Sequence, residues 1–240
     1  MRRVFFVATL AVLFAFSVLN AAEEGKEMKM AESIIWLGHD GFLIKLEKAS
    51  ICIDPYKVKV KDSYPPADII LITHEHGDHM SPDDIAKFAG EKTVIIAAKD
   101  AAEKLKGAKA LLPGEKIKIG DVDIEAVPAY NTNKKFHTKE SMKNGYIVTI
   151  DGVRIYHAGD TDFIPEMKDI KCDIALLPVS GKYVMTAEEA VEAAKAIKPK
   201  IAIPMHYGSG VVGTVEDAKK FSDGLKGTGI EVIIKANSKP

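Results

Sequence analysis

Four side chains able to bind a metal ion fall within six residues: His74, His76, Asp78 and His79, in the run Thr73-His74-Glu75-His76-Gly77-Asp78-His79. Imidazole and carboxylate together suit Zn, Mn and Fe, with ligand atoms about 2.0–2.2 Å from the metal in zinc sites. A turn with this spacing can point two histidines one way and an Asp-His pair the other. Without a cation, these polar groups would crowd against an apolar strand with little to satisfy them. The chain holds seven histidines. The other four, His39, His137, His157 and His206, each lie at or near the end of a predicted strand. In open α/β architectures, active-site groups sit on loops at strand ends, where a rigid sheet aims short loops into one crevice.

The elements that must carry these groups can be read from periodicity and turn residues. Ser33–Leu37, Gly41–Leu46 and Ser50–Ile53 read as strands, the last closed by Asp54-Pro55. Asp68–Thr73, directly before the histidine block, has the apolar run of a strand buried on both faces. Ser81-Pro82-Asp83-Asp84 opens a helix, with serine as N-cap, proline at the first helical position and acids against the dipole. Thr93–Ala97 reads as strand, Ala101–Lys106 as helix, and Lys116–Ile119 and Asp123–Val127 as strands. Gly145–Ile150 and Val153–His157 flank Asp151-Gly152, a two-residue hairpin signal. Asp173–Pro178 and Lys200–Pro204 are predicted buried strands, and Glu231–Lys235 a final one. Thr186-Ala187-Glu188-Glu189 starts a helix to Ile197 with a capping box, and Thr214 caps the last helix. Strand-rich segments with crossover helices in both halves predict an α/β protein of two packed sheets with helices outside.

Residues 1–22 have the layout of an export signal. Arg2 and Arg3 precede an apolar run from Val4 to Leu19, and small residues follow at Ala21 and Ala22. An uncleaved N-terminal tether is the alternative, although the run is short of the roughly 20 apolar residues of a spanning helix. Cleavage would send the mature chain to a periplasmic or extracellular compartment with no stable membrane insertion. Residues 23–240 then form a single domain, since no linker separates the halves. Lys and Arg total 33 against 34 Asp and Glu. With no long basic block, this balance argues against a nucleic-acid partner and leaves a small-molecule substrate as the expected one. Cys52 and Cys172 sit in apolar runs and read as packed thiols in buried strands, although export permits a disulfide.

The histidine block resembles the signature of the metallo-β-lactamase superfamily, and the resemblance runs through most of the chain after residue 22. Asp54 matches the family's upstream aspartate, Asp160 in His157-Ala158-Gly159-Asp160-Thr161-Asp162 its bridging carboxylate, and His206 its last histidine. Gly38-His39-Asp40-Gly41-Phe42 and the string Tyr156-His157-Ala158-Gly159-Asp160-Thr161 resemble the branch that contains the ascorbate-6-phosphate lactonase. The resemblance implies an αββα four-layer sandwich. It also implies two divalent metal ions, zinc foremost with Mn or Fe as alternatives. His74 and His76 would hold the first metal, Asp78, His79 and His206 the second, and Asp160 would bridge them. The family's third histidine for the first metal is the point of departure, because the expected position reads Pro128-Ala129-Tyr130-Asn131. Either His137 reaches back from the loop or Asn131 takes the place; imidazole is the better ligand and favours His137.

A two-metal-activated hydroxide acting on a small ester, lactone or phosphodiester is the implied chemistry. A proton for the leaving group comes from Asp78, His39 or water. His39 is equally readable as a satisfied core histidine, and His157 as a group that orients a ligand. Asp162 and Tyr130 read as ordinary loop polarity, and Lys134, Lys135 and Lys182 as solvated charges able to attract an anion. A non-catalytic metal-binding protein of the same fold, or an exported β-lactamase, are the competing readings.

Overall fold

A computed structural model describes residues 25–59 and 64–236. The export-signal reading of residues 1–22 therefore lies outside the described residues. Thirteen strands among the described residues form two mixed sheets. The first has the order β1 (Ile34–Gly38), β2 (Gly41–Lys45), β3 (Ser50–Ile53), β4 (Ile69–Ile72), β5 (Val94–Ala97), β6 (Lys109–Ala110). Its first three strands pair antiparallel and the rest parallel. The second comprises β7 (Lys116–Ile119), β8 (Val122–Ala129), β9 (Lys143–Ile150), β10 (Val153–His157), β11 (Ile174–Pro178), β12 (Ile201–Met205) and β13 (Glu231–Val232), in reverse spatial order. Strands β7 to β10 pair antiparallel, and β10 to β13 parallel.

Side chains alternate across each strand, so every sheet needs cover on both faces. Ile51, Ile53, Ile69 and Leu71 of the first sheet pack against Ile124, Val148, Ile155 and Leu176 of the second, and this shared interior is the main core. On the far side of the first sheet, Leu43, Cys52, Ile70 and Ile72 meet Ile85 and Phe88 of helix α2 (Pro82–Phe88) and Ala101 of α3 (Lys99–Ala102). The second sheet is covered by α4 (Ala187–Ile197), whose small face of Ala187, Ala190, Ala193 and Ala194 allows close approach, and by α5 (Val215–Gly224). The result is the expected α/β sandwich of helices, two sheets and helices.

Local signals explain where the elements begin. The Ser81 hydroxyl accepts from the Asp84 N–H with Pro82 in the first turn, and Thr186 and Glu189 form a reciprocal capping box. One helix went unread and several expectations are corrected. The helix, α1 over 25–33, has Lys or Glu at four of its nine positions; it buries Met30 and Ala31 and pairs Glu27 with Lys200 at 2.7 Å. Helix α3 starts two residues earlier than Ala101 and lasts one turn, with Asp100 drawn to the Lys143 ammonium at 2.9 Å. Strand β13 stops at Val232 because only two of its residues pair with β12, and the Lys235 ammonium donates to the Ala31 carbonyl instead. Both cysteines are free; Cys52 is buried in β3, whereas Cys172 is half-buried in the connection before β11 rather than inside a strand.

Candidate metal centre

Six loops converge at one end of the two sheets, each following the C-terminal end of a strand. The turn between β1 and β2 supplies His39 and Asp40, and the end of β3 supplies Asp54. The segment after β4 carries His74 to His79, and the loop after β8 carries Asn131 and His137. Asp160 follows β10 and His206 follows β12. His39, Asp40, Asp54, His74, His79 and His206 have no solvent exposure, and His137 and Asp160 almost none. So many buried polar groups in one place require partners or a cation.

The frame under these groups is built from hydrogen bonds. The Asp54 carboxylate accepts from the Thr73 N–H (2.9 Å), the Thr73 hydroxyl (2.5 Å) and His79 Nδ1 (2.9 Å). It thereby fixes the start of the histidine turn and leaves His79 Nε2 facing inward. Asp54, His39 and His206 all have positive φ (43°, 55° and 62°), a strained conformation for residues with side chains. The His39 carbonyl holds two of the segments together, accepting from Trp36 Nε1 (2.9 Å) and the His206 N–H (3.1 Å). Gly159, at φ 64°, passes so close to the end of β4 and to β9 that a Cβ would lie 2.6 Å from the Asn144 carbonyl oxygen. Any larger residue would push Asp160 out of place.

Two clusters result. In the first, His76 Nδ1 lies 3.0 Å from His74 Nε2 and 3.2 Å from His137 Nε2. Nitrogens bound to one zinc at 2.0–2.1 Å in a tetrahedron stand about 3.3–3.4 Å apart, so this spacing suits a shared ion. Burial pushes all three imidazoles down, His137 to about 4, which leaves them neutral at pH 7 as ligation requires. In the second, His79 Nε2 and His206 Nε2 each lie 3.4 Å from Asp160 Oδ1. Burial works to lower these two, but the Asp160 charge outweighs it and holds both above the ordinary value. The Ser180 hydroxyl meets His206 Nδ1 at 2.7 Å, so the other nitrogen is the free one.

Asp160 joins the clusters. Its Oδ1 faces His79 and His206, while its Oδ2 lies 3.6 Å from His137 Nε2 and 4.0 Å from His74 Nε2. Five buried side-chain atoms at this point have no hydrogen-bond partner: both oxygens of Asp40, His79 Nε2, Asp160 Oδ1 and His206 Nε2. Only four other such atoms occur among the described residues. A cation between them is the physical remedy for all five, and the donor set of imidazole and carboxylate fits a divalent metal.

The remaining candidates separate. Asn131 Oδ1 lies 3.1 Å from His137 Nδ1, and its amide donates to Asp162 and to the Tyr183 carbonyl, so it holds His137 toward His76. Asp162 anchors the same loop through the Thr132 N–H (2.8 Å) and pairs with Lys134, whose charge is thereby engaged. Lys135 and Lys182 stay exposed. Tyr130 turns away, donating to Glu166 at 2.8 Å. Asp78 is partly exposed and faces His39 Nε2 at 3.2 Å. Burial pushes His39 down to about 4; it opposes ionisation of Asp78, yet the His39 hydrogen bond keeps that carboxyl well below the usual range. His157 Nε2 donates to the Asp40 carbonyl (2.9 Å) and its Nδ1 accepts from the Gly159 N–H (3.2 Å). Asp40 and Ser180 were not singled out in the sequence. Asp40 falls inside the Gly38-His39-Asp40-Gly41-Phe42 string, but the string by itself gives it no role separate from that of His39.

Residues 33–206 match the Beta-lactamase superfamily domain. The chain belongs to the metallo-β-lactamase superfamily. It is 37% identical over 191 residues to a UPF0173 metal-dependent hydrolase of Pyrococcus furiosus, covering 73% of this chain and 84% of that one. Among solved structures, one from Parabacteroides distasonis described as a metal-dependent hydrolase is 43% identical, with a TM-score of 0.77 over 84% of this superfamily member and 91% of that chain. Igni18, a metallo hydrolase of Ignicoccus hospitalis, is 25% identical with a TM-score of 0.70, covering 85% and 94%. The superfamily sandwich thus accounts for the converging loops, and its signature for the histidine turn.

Proposed function

We propose that this chain is a metal-dependent hydrolase that cleaves a small ester, lactone or phosphodiester with two divalent metal ions. The observation that carries the reading is Asp160, one carboxylate presenting one oxygen to each of two histidine clusters. His74, His76 and His137 would hold one metal, and His79, His206 and Asp160 the other; the imidazole-rich first set suits zinc, with Mn or Fe as alternatives. When bound, such metals supply Lewis acidity and activate water at neutral pH.

The chain's own groups do the rest. Asp160 fixes the separation of the two clusters. Asn131 and Asp54 orient His137 and His79 through their second nitrogens or carboxylate oxygens. Asp78, an ionised carboxylate hydrogen-bonded to His39 where the centre opens to solvent, orients that imidazole, and water supplies the proton for the leaving group. Exposed Lys135 and Lys182, and Phe136 packed edge-on to Tyr183 at 4.7 Å, border the first cluster and favour an anionic substrate with an apolar part. Export through the N-terminal signal belongs to the same reading; a mature N-terminus near Ala22 on protein recovered outside the cytoplasm checks it, an intact Met1 on membrane-held protein marks the uncleaved tether instead, and recovery in the cytoplasm alone refutes export.

The test is a screen of the metal-loaded chain against lactone, carboxylic ester and phosphodiester substrates. Turnover of at least one class, lost on chelation and restored by Zn or Mn, is the expected result. Two bound metals with no turnover of any class would instead mark a non-catalytic metal-binding protein.

A further inference from the structure

Lys143, the first residue of β9, carries a side chain that is only 4% exposed, and among the described residues its one ion pair is with Asp100 of α3, at 2.9 Å. A buried ammonium is costly unless it is paired, so Asp100 is what makes this position tenable. The pair stands beside the first histidine cluster. Lys143 lies opposite Ala129 in the β8–β9 ladder, two residues before Asn131, which opens the loop that carries His137. The next residue, Asn144, donates its N–H to the Thr73 carbonyl at 3.0 Å, directly before His74. The start of β9 is thus tied to both segments that supply His74, His76 and His137.

The ammonium acts on all three rings. Burial does most to push these imidazoles down, and the Lys143 charge adds to it in each. At His76 it is the largest single charge. A cation that opposes a proton on these rings opposes a metal ion held by them in the same way, and Asp100 supplies the countercharge. A second pair on the same flank, Lys104 with Glu75, differs in one respect: the Lys104 side chain is 57% exposed, so solvent screens it.

Resting on the two-metal reading above, we propose that the buried Lys143–Asp100 pair sets the metal affinity of the first site, with Asp100 neutralising an ammonium that would otherwise repel the ion held by His74, His76 and His137. Neither residue is a ligand; Asp100 is a positioning residue that acts through Lys143. Removing one charge or the other must therefore move the affinity in opposite directions. A pair that merely fastened α3 to β9 would weaken the site whichever partner was lost.

The experiment measures the stepwise zinc dissociation constants of the untagged full chain against a chromophoric chelator, with His76→Ala marking which step belongs to the first site. Asp100→Asn, which leaves the ammonium bare, should weaken that step by about 10-fold and leave the other within about twofold. Lys143→Gln should tighten the first step by about threefold, less in size because the Asp100 carboxylate it leaves is 22% exposed and better screened. The double variant should return to within about threefold of wild type. Lys104→Gln, the screened control, should change neither step. A first step that is weakened or unchanged in Lys143→Gln overturns the proposal, whether or not the Asp100 variant folds. So does a double variant as weak as Asp100→Asn, or a Lys104→Gln effect as large as that of Asp100→Asn. A wild type that binds fewer than two zinc ions overturns the two-metal reading itself and this inference with it, whereas two zinc ions with no change among the variants overturns the inference alone.

Discussion

The two halves of the centre are built on different principles. The His74, His76 and His137 half comes from one turn and one loop; His76 is half-buried, and its ring nitrogens find their partners in one another. The His79, His206, Asp160 and Asp40 half comes from four separate strand ends, is buried throughout, and leaves five atoms without partners. The first half owes its geometry to a loop tied down by Asn131 and Asp162. The second owes it to the sheets, through Asp54 and His157. The imidazoles of the first set meet one another at hydrogen-bond distance, with only His76 reaching solvent. The carboxylates and imidazoles of the second are held by the sheets without such partners.

The contrast can be broken most forcefully at the residue the halves share. Asp160→Ala should depopulate both sites and cut hydrolysis by about 10³-fold or more, since metal-based charge stabilisation contributes several kcal/mol. Activity within about tenfold of wild type would show that the halves work independently. Asp54→Asn should weaken the buried site by roughly 10–100-fold and cost about 1.5–3 kcal/mol of stability, because three donors lose a buried carboxylate. Metal titration followed by chemical denaturation checks both effects. Asn131→Ala should lower affinity in the first half alone, by about 10-fold, through a loosened His137. An equal loss at both sites would erase the distinction between loop-built and sheet-built halves.

The smallest expected effect lies away from the centre. Asp84 accepts from the Lys57 and Val58 N–H groups, the Ser81 hydroxyl and the Lys87 ammonium. Asp84→Asn should cost about 1–2 kcal/mol without changing metal content. Burial works against ionisation of Asp84, but these hydrogen bonds hold its pKa below the ordinary value. Its contribution is therefore full above the unfolded carboxylate's pKa, about 3.9, and fades as the pH falls through the folded value. Denaturation of wild type and variant should accordingly converge in acid.

Much of the centre was legible because its residues are dense in sequence: four candidate ligands, three imidazoles and a carboxylate, in the six residues after a buried strand leave little other chemistry. The strands that carry them were legible for a related reason, since Ile69–Ile72, Ile174–Pro178 and Ile201–Met205 are buried on both faces and read as continuous apolar runs. Asp40 was hidden because its place in the centre depends on being brought beside Asp160 and His206, contacts that span more than a hundred residues. The 25–33 helix was hidden because its support is tertiary: Lys200 reaches Glu27 and Lys235 reaches Ala31 from the other end of the chain. The choice between His137 and Asn131 has a similar origin. The two residues meet through a hydrogen bond between a side-chain oxygen and a ring nitrogen, and spacing alone does not order them.

The most direct measurement is metal content per chain, by elemental mass spectrometry on protein purified without a histidine tag and reloaded with Zn or Mn. About two metals per chain is the expected result, one for each histidine cluster with Asp160 between. One metal or none after reloading would contradict the two-metal centre and leave the histidine clusters as parts of a binding protein rather than a hydrolase.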